Sequence, residues 1–169
     1  MRKSATAKKD PKLAGARPAT AGCLCGAVRI EIVVPAFWAW HDHSKASRRA
    51  QGCAYATYIG VWKSKTRVVQ GAGSITRFED AKTRTARSFC GKCGTPLFYE
   101  RPRAPKMVNI PRALFDARTG REPLYHIAWD EAAEWEYRGE ALKPLKGFPG
   151  VMWTGAKRKK PPAGGGIFA

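Results

Sequence analysis

Hydrophobic and polar positions alternate with a period of two in several short stretches of this chain. In residues 26–34, Val28, Ile30, Ile32 and Val34 share one face and Arg29 and Glu31 the other, which predicts a half-buried strand ended by Pro35. Residues 54–62, rich in Tyr and Ile, and residues 66–70 predict two more strands, with Gly71 and Gly73 supplying a turn. Further strands are expected over residues 74–78, 86–89, 95–100, 107–110 and 124–129, with one helical turn over 111–115 that starts on Pro111. Turn signals recur about every 8 to 12 residues and no segment keeps a helical period beyond about three turns, so the fold class is mainly β.

Cysteine spacing adds the first chemistry. Cys23-Leu24-Cys25 and Cys90-Gly91-Lys92-Cys93-Gly94 supply four of the five cysteines, and together they offer four thiolates, the set a closed structural zinc site uses. Gly91 and Gly94 let the chain turn tightly around an ion. Such a site would tie the start of the domain to its middle and couple metal binding to folding. A disulfide framework goes with export, and no apolar signal segment follows the basic N-terminus, so a reducing, cytoplasmic setting is expected. A membrane span needs about 18 apolar residues in a row, and the richest stretch, residues 30–40, is broken by Glu31 and Pro35, so no membrane association is expected.

Length and charge then set the organisation. The 169 residues are 44% hydrophobic, enough for one domain with a real core. The formal net charge is +18, of which residues 1–18 carry +5 and Lys157, Arg158, Lys159 and Lys160 carry +4. Both ends are rich in Ala, Gly and Pro. We expect a basic disordered tail over residues 1–18, a zinc-binding domain over 19–153 and a second basic tail over 154–169. Tails of this kind can hold nucleic acid or another polyanion through counterion release, or serve solubility alone.

Three blocks carry a resemblance. Gly22-Cys23-Leu24-Cys25-Gly26-Ala27-Val28-Arg29, Arg48-Arg49-Ala50-Gln51-Gly52 and Phe89-Cys90-Gly91-Lys92-Cys93-Gly94-Thr95-Pro96-Leu97 resemble the signature blocks of the glutathione-dependent formaldehyde-activating enzyme and centromere protein V family. The resemblance spans roughly residues 20–135 and takes in residues 124–129 with His126. It implies a β-tent of small antiparallel sheets stabilised by a structural zinc on Cys23, Cys25, Cys90 and Cys93. It also implies an ancestral carbon–sulfur lyase activity on glutathione–formaldehyde adducts. Members of that family typically read Cys-His-Cys-x-x-Cys-Arg in a central block whose cysteines hold a second, catalytic zinc. This chain reads Asp42-His43-Ser44-Lys45-Ala46-Ser47-Arg48 there.

Hydroxyls are poor zinc ligands beside thiolates, so the central block admits three readings. As an enzyme, Asp42 and His43 would carry proton transfer, or with His41 an altered metal site, and the substrate would be a glutathione or aldehyde–thiol adduct. As a pocket without chemistry, Arg48 and Arg49 would hold a carboxylate or phosphate beside aromatic walls, while Ser44 and Ser47 cap a turn or helix start. As a non-catalytic module, the scaffold would present basic tails to nucleic acid, with Tyr55, Tyr58 and Trp62 available to stack on bases. Cys53 is expected as a small buried residue, and His126 as a structural or pocket-wall residue.

If the tails are polyanion arms, deleting residues 1–18 and 157–160 lowers duplex DNA affinity and flattens the slope of log K against log salt. Affinity and slope that survive the deletion count against that role.

Overall fold

The alternation read in the chain becomes a sheet on which a second sheet is laid. The structure, a computed structural model, describes residues 18–136 and 143–153. Strands β1 (Pro18–Gly22), β2 (Arg29–Val33) and β5 (Thr66–Gln70) form a three-stranded antiparallel sheet in the order β1-β2-β5. The other strands are β3 (Trp38–Asp42), β4 (Ala56–Trp62), β6 (Ile75–Asp80), β7 (Thr85–Cys90), β8 (Pro96–Glu100), β9 (Met107–Pro111), β10 (Tyr125–Ile127), β11 (Lys143–Pro144) and β12 (Met152–Trp153). They run in one ladder, β11-β12-β10-β3-β4-β9-β8-β7-β6. Helix α1 (Lys45–Gln51) follows β3 directly.

Mainly β is thus what the chain folds into, with antiparallel pairing throughout the described ladders except between β3 and β10, which run parallel. The nine strands form a single ladder rather than several small sheets. It narrows to one register pair, Tyr99↔Asn109, between β8 and β9, where the Asn109 side chain adds a bond to the Tyr99 carbonyl at 2.9 Å.

The core lies between the two sheets. Ala19 and Ala21 of β1 stand opposite Ile32 and Ile30 of β2, small residues beside large, and all four are buried. They pack with Ala39, Ile59, Val61, Val108 and Ile110 from the larger sheet. Each fully buried aliphatic side chain contributes about 1.5–3 kcal/mol. The opposite face of the larger sheet is aromatic: Trp40 and Tyr58 are buried there, with Trp38, Tyr99 and Tyr125 packed around them.

Several boundaries differ from the sequence reading. The strand expected over residues 26–34 is Arg29–Val33, because residues 23–28 form the turn that carries the first cysteine pair. Pro18, placed by sequence in the tail, opens β1, whose small residues fit under the isoleucines. The strand expected over 124–129 keeps only Tyr125–Ile127, since Ala128 turns left-handed and Trp129 enters a short 3-10 turn. Residues 38–42 form β3 and residues 45–51 form α1, two elements not among those expected. The expected tails over 1–18 and 154–169 lie outside the described residues, apart from Pro18. No described helix is long and apolar enough to cross a membrane.

Gly71 seats this turn against β5. Its φ is +73°, and a Cβ there would stand 2.0 Å from the Ala27 carbonyl oxygen, whereas Gly26, with φ of +72°, faces open space. Gly26→Ala should therefore cost only the left-handed strain of about 1–2 kcal/mol. Gly71→Ala adds a backbone collision and should cost more than Gly26→Ala by at least about 2 kcal/mol in urea unfolding; equal losses would show that the turn yields freely.

Candidate functional site

Cys23 and Cys25 lie in the turn between β1 and β2, while Cys90 ends β7 and Cys93 lies in the turn that leads to β8. The four Sγ atoms all fall within 4.8 Å of one another. Cys23 Sγ is 3.6 Å from Cys25 Sγ, and Cys25 Sγ is 3.9 Å from Cys90 Sγ. Four thiolates about 2.3 Å from a tetrahedral ion sit about 3.8 Å apart, so the cluster fits a metal ion without rearrangement. The fit extends to the surroundings. Val28 N–H donates to Cys23 Sγ at 3.2 Å, and Gly94, with φ of +74°, closes the second turn with a bond from its N–H to the Cys90 carbonyl. The Thr95 hydroxyl, 3.1 Å from Cys93 Sγ, and the Thr95 amide push the Cys93 thiol down to about 5, while against the Ala27 amide the neighbouring sulfurs, Cys93 first, push Cys25 up to about 11.

The central block is closed in another way. Asp42, at the end of β3, is buried; its Oδ1 accepts the Ser44 amide at 2.9 Å and its Oδ2 accepts the Ser47 hydroxyl at 2.8 Å. Ser44 Oγ in turn accepts the Ser47 amide and so caps α1. Carboxylate and hydroxyls thus satisfy one another and the helix start.

The model of the family described as glutathione-dependent formaldehyde-activating enzyme matches residues 18–131. The chain belongs to this family. A crystal structure of a Rhodobacter sphaeroides protein is similar at 26% identity with a TM-score of 0.51, over 59% of this chain and 89% of that one.

Within the formaldehyde-activating family frame, the structure places each residue singled out by sequence. The four cysteines come together. Asp42 and His43, expected to act on a substrate, are both buried, and His43 is fully enclosed. His43 Nδ1 lies 3.0 Å from a Glu136 carboxylate oxygen and its Nε2 lies 2.8 Å from His126 Nδ1. Arg48 donates through Nε to the His43 carbonyl at 3.1 Å and through a terminal nitrogen to the Glu131 carbonyl at 3.0 Å, whereas Arg49 is exposed. The two arginines therefore do not converge on one anion. Tyr58 is fully buried and cannot stack on a base, a correction to the aromatic reading, while Tyr55 and Trp62 are half-buried. Cys53 is half-buried and its thiol donates to the Tyr55 carbonyl.

All three histidines of the chain gather on the opposite side of β3 from Asp42. His41 and His126 are register partners on β3 and β10, with ring centroids 4.6 Å apart. Trp129 packs edge-on against His43 and His126. His126 was expected as a structural or pocket-wall residue, whereas Glu136 had no signal, because its contact with His43 joins residues 93 positions apart.

Sequence reading also missed Arg87. Between buried Ala86 and Ser88 on β7 it looks like a solvated strand residue, but its guanidinium lies 4.0 Å over the Tyr99 ring and donates to the Tyr58 hydroxyl at 3.1 Å. Ser47 Oγ is 3.4 Å from its other terminal nitrogen, at the edge of hydrogen-bond reach.

Burial, followed by repulsion from a neighbouring imidazole, lowers both His41 and His126 to about 4. Both folded values lie below the ordinary histidine range near 6.5, so the unfolded chain binds more protons between about pH 6.5 and 4. Stability should fall as pH drops through that window and stop falling from this cause below about 4. Urea unfolding at stepped pH checks this. His126→Gln should flatten the profile, and an unchanged profile would assign the acid sensitivity elsewhere.

Proposed function

We propose that this protein is a zinc-clamped binding scaffold of the glutathione-adduct carbon–sulfur lyase lineage that has given up the thiolate-held catalytic metal. The observation that carries this is the closed network of Asp42, Ser44 and Ser47. These are the positions at which the family resemblance puts the second zinc's three thiolates. Here they offer a single negative charge and two neutral hydroxyls, and each of their four side-chain oxygens already has a hydrogen-bond partner. A divalent ion would have to displace those bonds and uncap α1 in exchange for weak ligands. The residues do not fit the catalytic metal, and no reaction step is drawn through one.

The four-cysteine cluster supports the other half of the reading. Four sulfurs at tetrahedral spacing with an amide donor on Cys23 suit a closed zinc site that carries structure rather than chemistry. In this reading Asp42 holds the helix start and His43 ties Glu136 and His126 to β3. Arg48 fastens the segment around Glu131 to α1. Substrate contact then belongs to the aromatic face beside Ser47, where Arg87 and Tyr99 lie half-buried.

Elemental mass spectrometry of untagged protein should give one zinc per chain. The triple variant Asp42→Cys, Ser44→Cys, Ser47→Cys should take up a second, since it restores three thiolates at one helix start. Two zinc ions in the parent, or none, would overturn the reading. Structural zinc supplies roughly 10–16 kcal/mol in small peptides, as much as a whole domain's net stability of about 5–15 kcal/mol. Cys93→Ser should accordingly lose the metal and the cooperative thermal transition together.

A further inference from the structure

We propose that the cleft between α1 and the β6–β8 strands binds a small amphipathic carboxylate, with its anionic head on Arg87 and its apolar body against Phe78, Phe89 and Phe98. The inference deepens the binding-scaffold reading and rests on its metal-free central block, because Arg87 shares Ser47 with that network.

The cleft has a volume of about 360 Å³ and is lined by those three phenylalanines with Pro96, Gln51 and Arg87 among its walls. That is the lower range of small-molecule sites, which pair a mostly apolar lining with a few placed polar groups. Phe78 is 59% exposed at the cleft, apolar area that the described fold leaves uncovered.

The polar end is built from donors. Arg87 donates to Tyr58 Oη from one side and Gln51 Nε2 donates to the same oxygen at 3.1 Å from the other. A guanidinium has five N–H groups, and the described structure engages two of Arg87's, one of them at 3.4 Å. Its charge is not matched. The carboxylates of the described salt bridges go elsewhere: Glu31 to Arg67, Glu79 to Arg77, Glu100 to Lys63 and Arg77, and Glu136 to His43. Asp42 meets Arg87 only through the Ser47 hydroxyl.

Further along the same aromatic face, Arg101 lies over the Trp40 ring, and its Nε and Trp40 Nε1 are both buried without an acceptor among the described residues. A half-buried arginine that keeps free N–H groups at the end of an apolar cleft is arranged for an anion presented in one plane, which a carboxylate supplies through forked hydrogen bonds.

The test uses full-length, zinc-loaded protein and 4-phenylbutyrate as probe, followed by calorimetry and by aromatic-ring NMR shifts. The expected result is saturable binding that shifts the rings of Phe78, Phe89 and Phe98. Both the methyl ester of the probe and the Arg87→Gln variant should weaken it at least about tenfold. Arg87→Lys should recover part of the loss, since it keeps the charge without the fork. An ester that binds as well as the acid, an Arg87→Gln variant as tight as the parent, or glutathione binding more tightly than the phenyl acid would each overturn the proposal. So would no binding at millimolar probe. Metal content and amide spectra of the same samples show that each variant is folded. They also separate the two claims: two metals per chain would sink the metal-free scaffold, while one metal with no acid binding would sink the cleft assignment alone.

Discussion

Four sulfur atoms gather where this molecule's two sheets meet, at a point outside the strand pairing of either sheet. The turn between β1 and β2 belongs to the three-stranded sheet, the turn between β7 and β8 to the nine-stranded one, and the cysteine cluster joins them. The hydrophobic core between the sheets is built largely from Ala, Val and Ile, side chains that fill space without fixing direction. A tetrahedral set of ligands fixes it. The Val28 amide donates to Cys23 Sγ and the Thr95 hydroxyl stands beside Cys93 Sγ, so two of the four sulfurs carry hydrogen-bond partners from the turns themselves.

The central block is closed by its own side chains. Asp42, Ser44 and Ser47 are smaller and harder donors than cysteines, and in place of an ion they use the first turn of α1 as their common partner. The N-cap bond of Ser44 and the buried bond from Ser47 to Asp42 keep β3 and α1 in register. What remains on that face is a set of aromatic rings, two guanidiniums and the half-buried thiol of Cys53.

Much of this was legible in the chain. The strands of the core announced themselves through period-two alternation, and the metal cluster through spacing, because both are local patterns. Ser44 as a helix cap was legible for the same reason. The burial of Asp42 and His43 was not, since a carboxylate and an imidazole beside serines read equally well as solvated or catalytic. What decides between them is Glu136 and His126, far along the chain. Arg87 was hidden by the same alternation that revealed its strand: its neighbours point to the core, so it reads as outward, and only the folded ladder shows Tyr58, Tyr99 and Gln51 waiting on that side. Strand β1 escaped because Pro18-Ala19-Thr20-Ala21-Gly22 has the composition of a linker, and its alanines are useful only opposite isoleucines.

The narrow joint between β8 and β9 gives the cleft a mechanical character. One register pair and the Asn109 side chain fasten the β6–β8 strands to the rest of the ladder, and the cysteine cluster fastens the turn at the head of β8. The wall carrying Phe78, Phe89 and Arg87 is held besides by Lys63 on Glu100, by Arg87 on Tyr58 and by Leu97 in the core, and it faces α1. The cysteine cluster thus stands at the foot of that wall, since Gly94 and Pro96, which follow Cys93, line the same cleft.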